Sequence, residues 1–103
     1  RADLQLGTLC AQTIHAAGES AALFGGPLPA NTYAIALSVP SEAALLKIEE
    51  RLIAFWVPHV SIREPDPPFN NALMAIGFIP APRGTYKKFL SNLPLLKEKE
   101  KLQ

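Results

Sequence analysis

Cysteine is nearly absent from this 103-residue sequence, and long apolar runs are lacking. Cys10 is the single cysteine, so an internal disulfide is excluded. Because Cys10 falls among apolar positions, we expect a buried, reduced thiol of the kind found in cytoplasmic proteins. No apolar run approaches the roughly 20 residues of a membrane-spanning helix, and the N-terminus lacks the basic-then-apolar layout of a signal peptide. The sequence therefore predicts a cytoplasmic protein with no membrane partner.

The sequence also lacks a large net charge, a metal-ligand spacing and a nucleotide-binding loop motif. The formal net charge of +1 is too small to indicate a nucleic-acid partner, since phosphate binding depends on clustered lysines and arginines. Cys10 and His15 fall on different sides of a predicted helix, and no third ligand follows at a suitable spacing, so no metal is expected. Gly25-Gly26 follows that helix and lacks the Walker lysine, so no nucleotide cofactor is expected.

The most informative stretch of the sequence is an amphipathic helix predicted from Leu6 to Phe24. At about 100° per residue, its side chains divide into two sectors. The mostly small apolar sector is predicted to pack against a sheet: Leu6, Cys10, Ile14, Ala17 and Ala21. The polar sector is predicted to face outward: Thr8, Gln12, His15 and Glu19. Consecutive glycines and prolines at 25–29 end the helix.

Strands and helices alternate after this first helix. Ser41 is the predicted N-cap, and Glu42 the first-turn acid, of a second helix that runs to about Trp56. Trp56 is predicted to fill the core or the domain edge, because no second exposed aromatic accompanies it. The other predicted elements are the end of a strand at 1–4, strands at 32–39, 59–63 and 72–79, a short helix within 85–93 and a charged tail at 95–103. This order predicts one α/β domain with a mixed sheet.

Two motifs give the chain a resemblance to a known family. The first is Arg1-x-Asp-Leu4, then Gly7 and Ala11-Gln-x-x-His-Ala16; the second is Arg63-Glu-Pro-Asp66, with Ala75-Ile-Gly77 after it. Together they resemble the type II peptidyl-tRNA hydrolases, in a short, bacterial-like branch. The resemblance implies that residues 1–94 form a single three-layer domain, with helices packed on a mixed four-stranded sheet whose first strand is truncated. It also implies tRNA as a partner, and a homodimer.

The reaction implied by this resemblance is hydrolysis of the ester that joins a peptide to the 3′ ribose of tRNA, without a cofactor. Ester cleavage needs an activated water, a general base and stabilisation of the oxyanion. His15 is the candidate base, since imidazole exchanges protons near neutral pH, and Gln12 would hold the water or a ribose hydroxyl. Glu64 or Asp66, on a proline-stiffened loop, would orient the imidazole. Further expected substrate contacts are Asp3, Thr8, Arg63, Asn71, Lys87 and Lys88.

A second interpretation is a binding module without catalysis. The family's lysine has no match in this chain, and Thr8 lies nearest to its place. Glu64 stands where the family has an aspartate, and Met74 where it has a threonine. The same fold would then retain tRNA or protein recognition after losing its chemistry. A small α/β domain of unrelated purpose is the third interpretation.

Overall fold

The computed structural model describes residues 1–82 and 84–97, which form helices and a two-stranded sheet. The helices are α1 (Leu6–Phe24), α2 (Glu42–Ala54) and α3 (Lys87–Leu90), and the strands are β1 (Val60–Glu64) and β2 (Ala72–Gly77). The predicted α/β character is thus confirmed. Within the described ranges, no helix combines the length and the apolar composition needed to cross a membrane.

The sheet is smaller than the four-stranded mixed sheet that the resemblance implies. β1 and β2 pair antiparallel, with Val60 opposite Gly77 and Ile62 opposite Ala75, and the register shifts between Ile62 and Arg63. These two strands make up the whole sheet in the part of the chain that the structure describes. A four-stranded, three-layer arrangement is not shown.

The apolar segment 32–39, predicted as a buried strand, does not join this sheet. It makes one isolated bridge, between Leu37 and Leu95, where the Ser38 amide donates to the Pro94 carbonyl over 3.0 Å. A cavity of about 1220 Å³ is lined both by this segment and by β2. The prediction was wrong because apolar, β-rich composition does not supply a neighbouring strand edge. The segment pairs instead with residues at the start of the predicted charged tail, of which 98–103 lie outside the described residues.

The first four residues, predicted as the end of a strand, form a turn instead. The Ala2 amide donates to the Val39 carbonyl over 2.8 Å. The Arg1 guanidinium donates to the Leu73 carbonyl over 3.1 Å. These bonds fix the chain beside β2 without adding a strand to it.

The second helix begins and packs as its sequence predicts. The Ser41 hydroxyl accepts a hydrogen bond from the Ala44 amide over 3.3 Å, so Ser41 is the N-cap. Such a cap satisfies one of the amides left free by the first helical turn. Leu45 packs with Val39 and Leu73 in the central cluster of the core, and Leu52 is fully buried. Burial of this apolar face holds α2 against the sheet.

The C-terminus of α2 places Trp56 where the sequence did not predict it. The Trp56 amide donates to the Ile53 carbonyl over 3.2 Å, and the Val57 amide to the Leu52 carbonyl over 2.9 Å. These two bonds define a Schellman motif, whose left-handed position is usually a glycine. Trp56 occupies it, with φ 56°, and its residue surface is 92% exposed. The prediction that Trp56 fills the core or the domain edge was therefore wrong.

The buried face of α1 is not the predicted one, although His15 and Glu19 are exposed as predicted. The buried residues of this helix are Gln12, Ala16 and Ser20. Leu6 and Ile14, which were predicted to face the core, are 75% and 69% exposed. Cys10, predicted to be a buried thiol, is also exposed.

Close contact with β2 explains this orientation. A β-carbon added at Gly77 would collide with the backbone carbonyl of Ala16 and lie 3.2 Å from the Ser20 β-carbon. A helix can approach a strand so closely only where the side chains between them are small. The α1 face with Ala16 and Ser20 meets this condition where it crosses Gly77. Small size at these two positions therefore favours burial of this face.

This close approach predicts opposite effects for two glycine substitutions. Gly77→Ala is expected to lower the free energy of unfolding by about 2–3 kcal/mol, because the backbone of Ala16 must move to admit the methyl group. Gly18→Ala is the matched control, since nothing lies within 4 Å of its added β-carbon. That substitution is expected to stabilise α1 by about 0.5–1 kcal/mol. Urea denaturation of both variants checks this account, and an unchanged stability in Gly77→Ala would contradict it.

Candidate functional site

The candidate site lies at the end of β1, where Arg63 pairs with a buried carboxylate of α2. The Arg63 guanidinium donates two hydrogen bonds to Glu49, over 2.9 Å and 2.7 Å. Glu49 is only 8% exposed. Its hydrogen bonds with Arg63 hold the pKa of the Glu49 carboxyl below its usual value, and the same contact raises the pKa of Arg63. Two parallel charge-assisted bonds give the pair a fixed geometry as well as attraction.

Glu64, the next residue of β1, contacts the first helix. The Gln12 side-chain nitrogen donates to one Glu64 carboxylate oxygen over 3.3 Å, and Gln12 is 7% exposed. The other Glu64 oxygen accepts the backbone amide of Asp66 over 3.1 Å. The structure thus brings together the Gln12 of the first sequence motif and the Glu64 and Asp66 of the second.

The loop after Glu64 is fixed by its own backbone hydrogen bonds. The Asp66 carbonyl accepts from the amides of Phe69 and Asn70, over 3.0 Å and 3.2 Å, and the Asn71 amide donates to the Glu64 carbonyl over 2.7 Å. Asn70 and Asn71 have φ angles of 49° and 71°, a left-handed conformation that asparagine tolerates better than most residues. This loop presents Asp66 and Asn71 as exposed residues beside the Gln12–Glu64 contact.

His15 lies one helical turn from Gln12 but does not meet either acid. It is exposed, and the i, i+3 spacing makes it a surface neighbour of Gln12 on α1. Within the described ranges, the hydrogen bonds and ion pairs of Glu64 and Asp66 do not include His15. The structure therefore brings Gln12 to the loop without bonding the candidate base to a carboxylate.

The remaining predicted contacts are distributed over the surface. Asp3 forms an ion pair with Arg1, over 2.9 Å, and this contact lowers the pKa of the Asp3 carboxyl. Thr8 is partly exposed near the start of α1. Lys87 and Lys88 lie in α3, where the Lys88 Nζ is 3.9 Å from the centre of the Phe55 ring. Asp3 therefore contacts Arg1, and Lys88 contacts Phe55. Neither contact involves Gln12 or Glu64.

Sequence reasoning missed Glu49, although the spacing contains a signal for it. Leu45, Glu49 and Leu52 recur at helical spacing and are the buried residues of α2. An acid on the apolar face of a helix needs a cationic partner, and Arg63 supplies it. Across the described residues, no group of three histidine, cysteine, aspartate or glutamate side chains is arranged to hold a metal ion.

Substituting Glu49 predicts a pH-dependent loss of stability. Because the folded pKa of Glu49 is below its ordinary value of about 4.5, the ionised pair contributes fully above that value and less as the pH falls through the folded pKa. Glu49→Gln should lower the free energy of unfolding by about 1–2 kcal/mol at neutral pH. The deficit relative to the unsubstituted protein should shrink toward pH 3.

Urea denaturation at the two pH values measures this change. Glu50→Gln is the matched control, since Glu50 is the exposed neighbour in the same helix and its substitution should change stability by less than about 0.5 kcal/mol. A deficit for Glu49→Gln that stays the same from pH 7 to pH 3 would show that the charge of Glu49 does not stabilise the fold.

Comparison of the chain with protein-family models, with curated proteins and with solved structures finds no match.

Proposed function

We propose that this protein hydrolyses the ester bond between a peptide and tRNA. The observation that carries the proposal is the 3.3 Å hydrogen bond from Gln12 to Glu64. It joins the Gln-x-x-His motif of α1 to the Arg-Glu-Pro-Asp motif at the end of β1. Gln12 and Glu64 are 52 residues apart in the chain, and both motifs belong to the resemblance with type II peptidyl-tRNA hydrolases.

The proposed reaction assigns a separate task to each polar group. His15 takes a proton from a water molecule, whose oxygen forms a bond to the ester carbonyl carbon. The carbon–oxygen bond to the ribose then breaks, and the protonated His15 returns its proton to the departing 3′ oxygen. The products are tRNA with a free 3′ hydroxyl and a peptide carboxylic acid, which ionises by releasing its proton to water. Gln12 is held by Glu64 and would direct its amide toward the water or the ribose. Asp66, the exposed acid of the loop, would orient the His15 imidazole once the substrate is bound.

The wider proposal covers the substrate contacts and the fold of the family. Lys87 and Lys88 would meet phosphates, as would Arg63 to the extent that Glu49 leaves its donors free. Thr8, Asp3 and Asn71 would contact the peptide or the ribose. The proposal also includes a cytoplasmic homodimer and a four-stranded, three-layer domain.

The test is release of a blocked amino acid from N-acetyl-aminoacyl-tRNA. The unsubstituted protein should release it with turnover, and His15→Ala should slow release about 100-fold or more, because a general base contributes at least this much. Asp66→Ala should also slow release. Cys10→Ala is the control, since Cys10 is exposed on α1 and has no role in the proposed reaction. Turnover that persists in both His15→Ala and Asp66→Ala would contradict the proposed chemistry.

A non-catalytic tRNA-binding module is the second candidate. It is favoured by the lack of a hydrogen bond between His15 and either acid in the described residues, and by the missing family lysine. The same assay separates the two functions. Retention of tRNA on the protein without release of the blocked amino acid would support the module, and turnover would exclude it.

A further inference from the structure

At the C-terminal end of α2, a large aromatic side chain is exposed, and packing within the chain does not explain its exposure. Trp56 is the single tryptophan of the sequence, and it occupies the left-handed position of the Schellman motif with 92% of its surface exposed. Glycine would adopt this backbone conformation without strain, whereas a bulky residue is strained there. The strain is not offset by burial, and strain of this kind collects at binding sites.

Further apolar groups surround Trp56. Phe55 and Ile53 are both exposed within one turn of it. An open cleft of about 380 Å³ adjoins the indole, and its lining residues are Leu52, Ile53, Trp56, Val57, Pro58 and His59. A cleft of this size, bordered by an exposed aromatic ring, can accept a flat group against the ring face.

Cations contact the rings of Phe89 and of Phe55, the chain neighbour of Trp56. The Lys88 Nζ lies 3.9 Å from the centre of the Phe55 ring, and the Arg51 guanidinium lies 5.2 Å from the centre of the Phe89 ring. The ion pairs of the described residues involve neither Arg51 nor Lys88. Their positive charge is therefore not cancelled by a contacting carboxylate in that part of the chain, and it complements an anion.

We propose that this surface, the Trp56 face, binds single-stranded nucleic acid; its residues are Arg51, Phe55, Trp56, Lys88 and Phe89. An unpaired base stacks on the Trp56 indole, while neighbouring phosphates contact Lys88 and Arg51. Aromatic rings among cations are the combination with which proteins bind single strands without reading their sequence. In a duplex the base faces are stacked on one another, so no base is free to stack on the Trp56 indole. The proposal does not depend on ester hydrolysis by this protein.

The test uses the tryptophan itself as the reporter. Titration with a 12-nucleotide oligo(U) should quench the Trp56 fluorescence, and the quenching should saturate. Titration with oligo(dT) of the same length shows whether binding distinguishes ribose from deoxyribose. A 12-base-pair duplex should quench much less. The association constant should fall about threefold for each doubling of salt, as expected for two phosphate contacts on a single strand.

Substitutions separate stacking from folding. By the anisotropy of labelled oligo(U), Trp56→Gly should bind about tenfold more weakly, while its melting temperature stays the same or rises because glycine relieves the backbone strain. Trp56→Phe should retain most of the affinity. Tyr33→Ala is the control, since Tyr33 is another highly exposed aromatic residue and lies outside the Trp56 face. Arg51→Gln with Lys88→Gln should weaken binding and reduce its salt dependence.

Three results would overturn the proposal. One is no binding of either oligonucleotide, and another is equal quenching by the duplex. The third is a blue shift of Trp56 emission on anionic phospholipid vesicles without any response to oligonucleotides, which would make the face a membrane contact. Because none of these probes contains an ester to tRNA, the outcome is independent of whether peptidyl-tRNA is cleaved.

Discussion

Arg63 and Glu64, the last two residues of β1, connect the sheet to α2 and α1. Arg63 forms two hydrogen bonds with Glu49 of α2, and Glu64 accepts one from Gln12 of α1. Successive side chains of a strand point to opposite faces, so one strand end can engage both helices. Glu49 is buried, and a buried carboxylate without a partner is strongly unfavourable. The position of the candidate site therefore depends on this strand end.

Local sequence signals predicted the elements well. The breakers at 25–29 mark the end of α1, and Ser41 caps α2 as its hydroxyl and position indicate. The alternation of Val60 and Ile62 with polar residues predicted β1, and the apolar run after the proline loop predicted β2. These signals are short in range, because caps, breakers and periodicity act within a few residues.

The wrong predictions concern contacts between elements that are distant in the sequence. Hydrophobic periodicity assigned Leu6 and Ile14 to the core, but the close contact at Gly77 admits only the small side chains of Ala16 and Ser20. Periodicity measures hydrophobicity and carries no information about how near a neighbouring strand will lie. Segment 32–39 has the composition of a strand, yet strand formation needs a paired edge. Trp56 was assigned to the core or the domain edge because no second exposed aromatic accompanied it in the sequence. Its burial depends on the path of the chain after α2, which the local sequence does not specify.

The candidate site was predicted in part, since its residues come from two distant motifs. The resemblance paired His15 with Glu64 or Asp66 and gave Gln12 the water or the ribose. The structure instead places Gln12 in hydrogen-bond contact with Glu64, and His15 bonds to neither acid in the described residues. The resemblance could not indicate Glu49 as the partner of Arg63, because that pairing depends on how α2 rotates against β1. His15 is exposed as its place in the polar sector predicts, whereas Cys10 is exposed against the prediction.

A double-mutant cycle on Gln12 and Glu64 tests most directly whether α1 and the end of β1 meet. Gln12→Ala, Glu64→Ala and the double substitution are compared with the unsubstituted protein by urea denaturation. A coupling energy of about 0.5–1.5 kcal/mol is expected for a partly buried hydrogen bond to a charged group. Effects that add within about 0.3 kcal/mol would mean that the two side chains do not interact, and would contradict the contact on which the site depends.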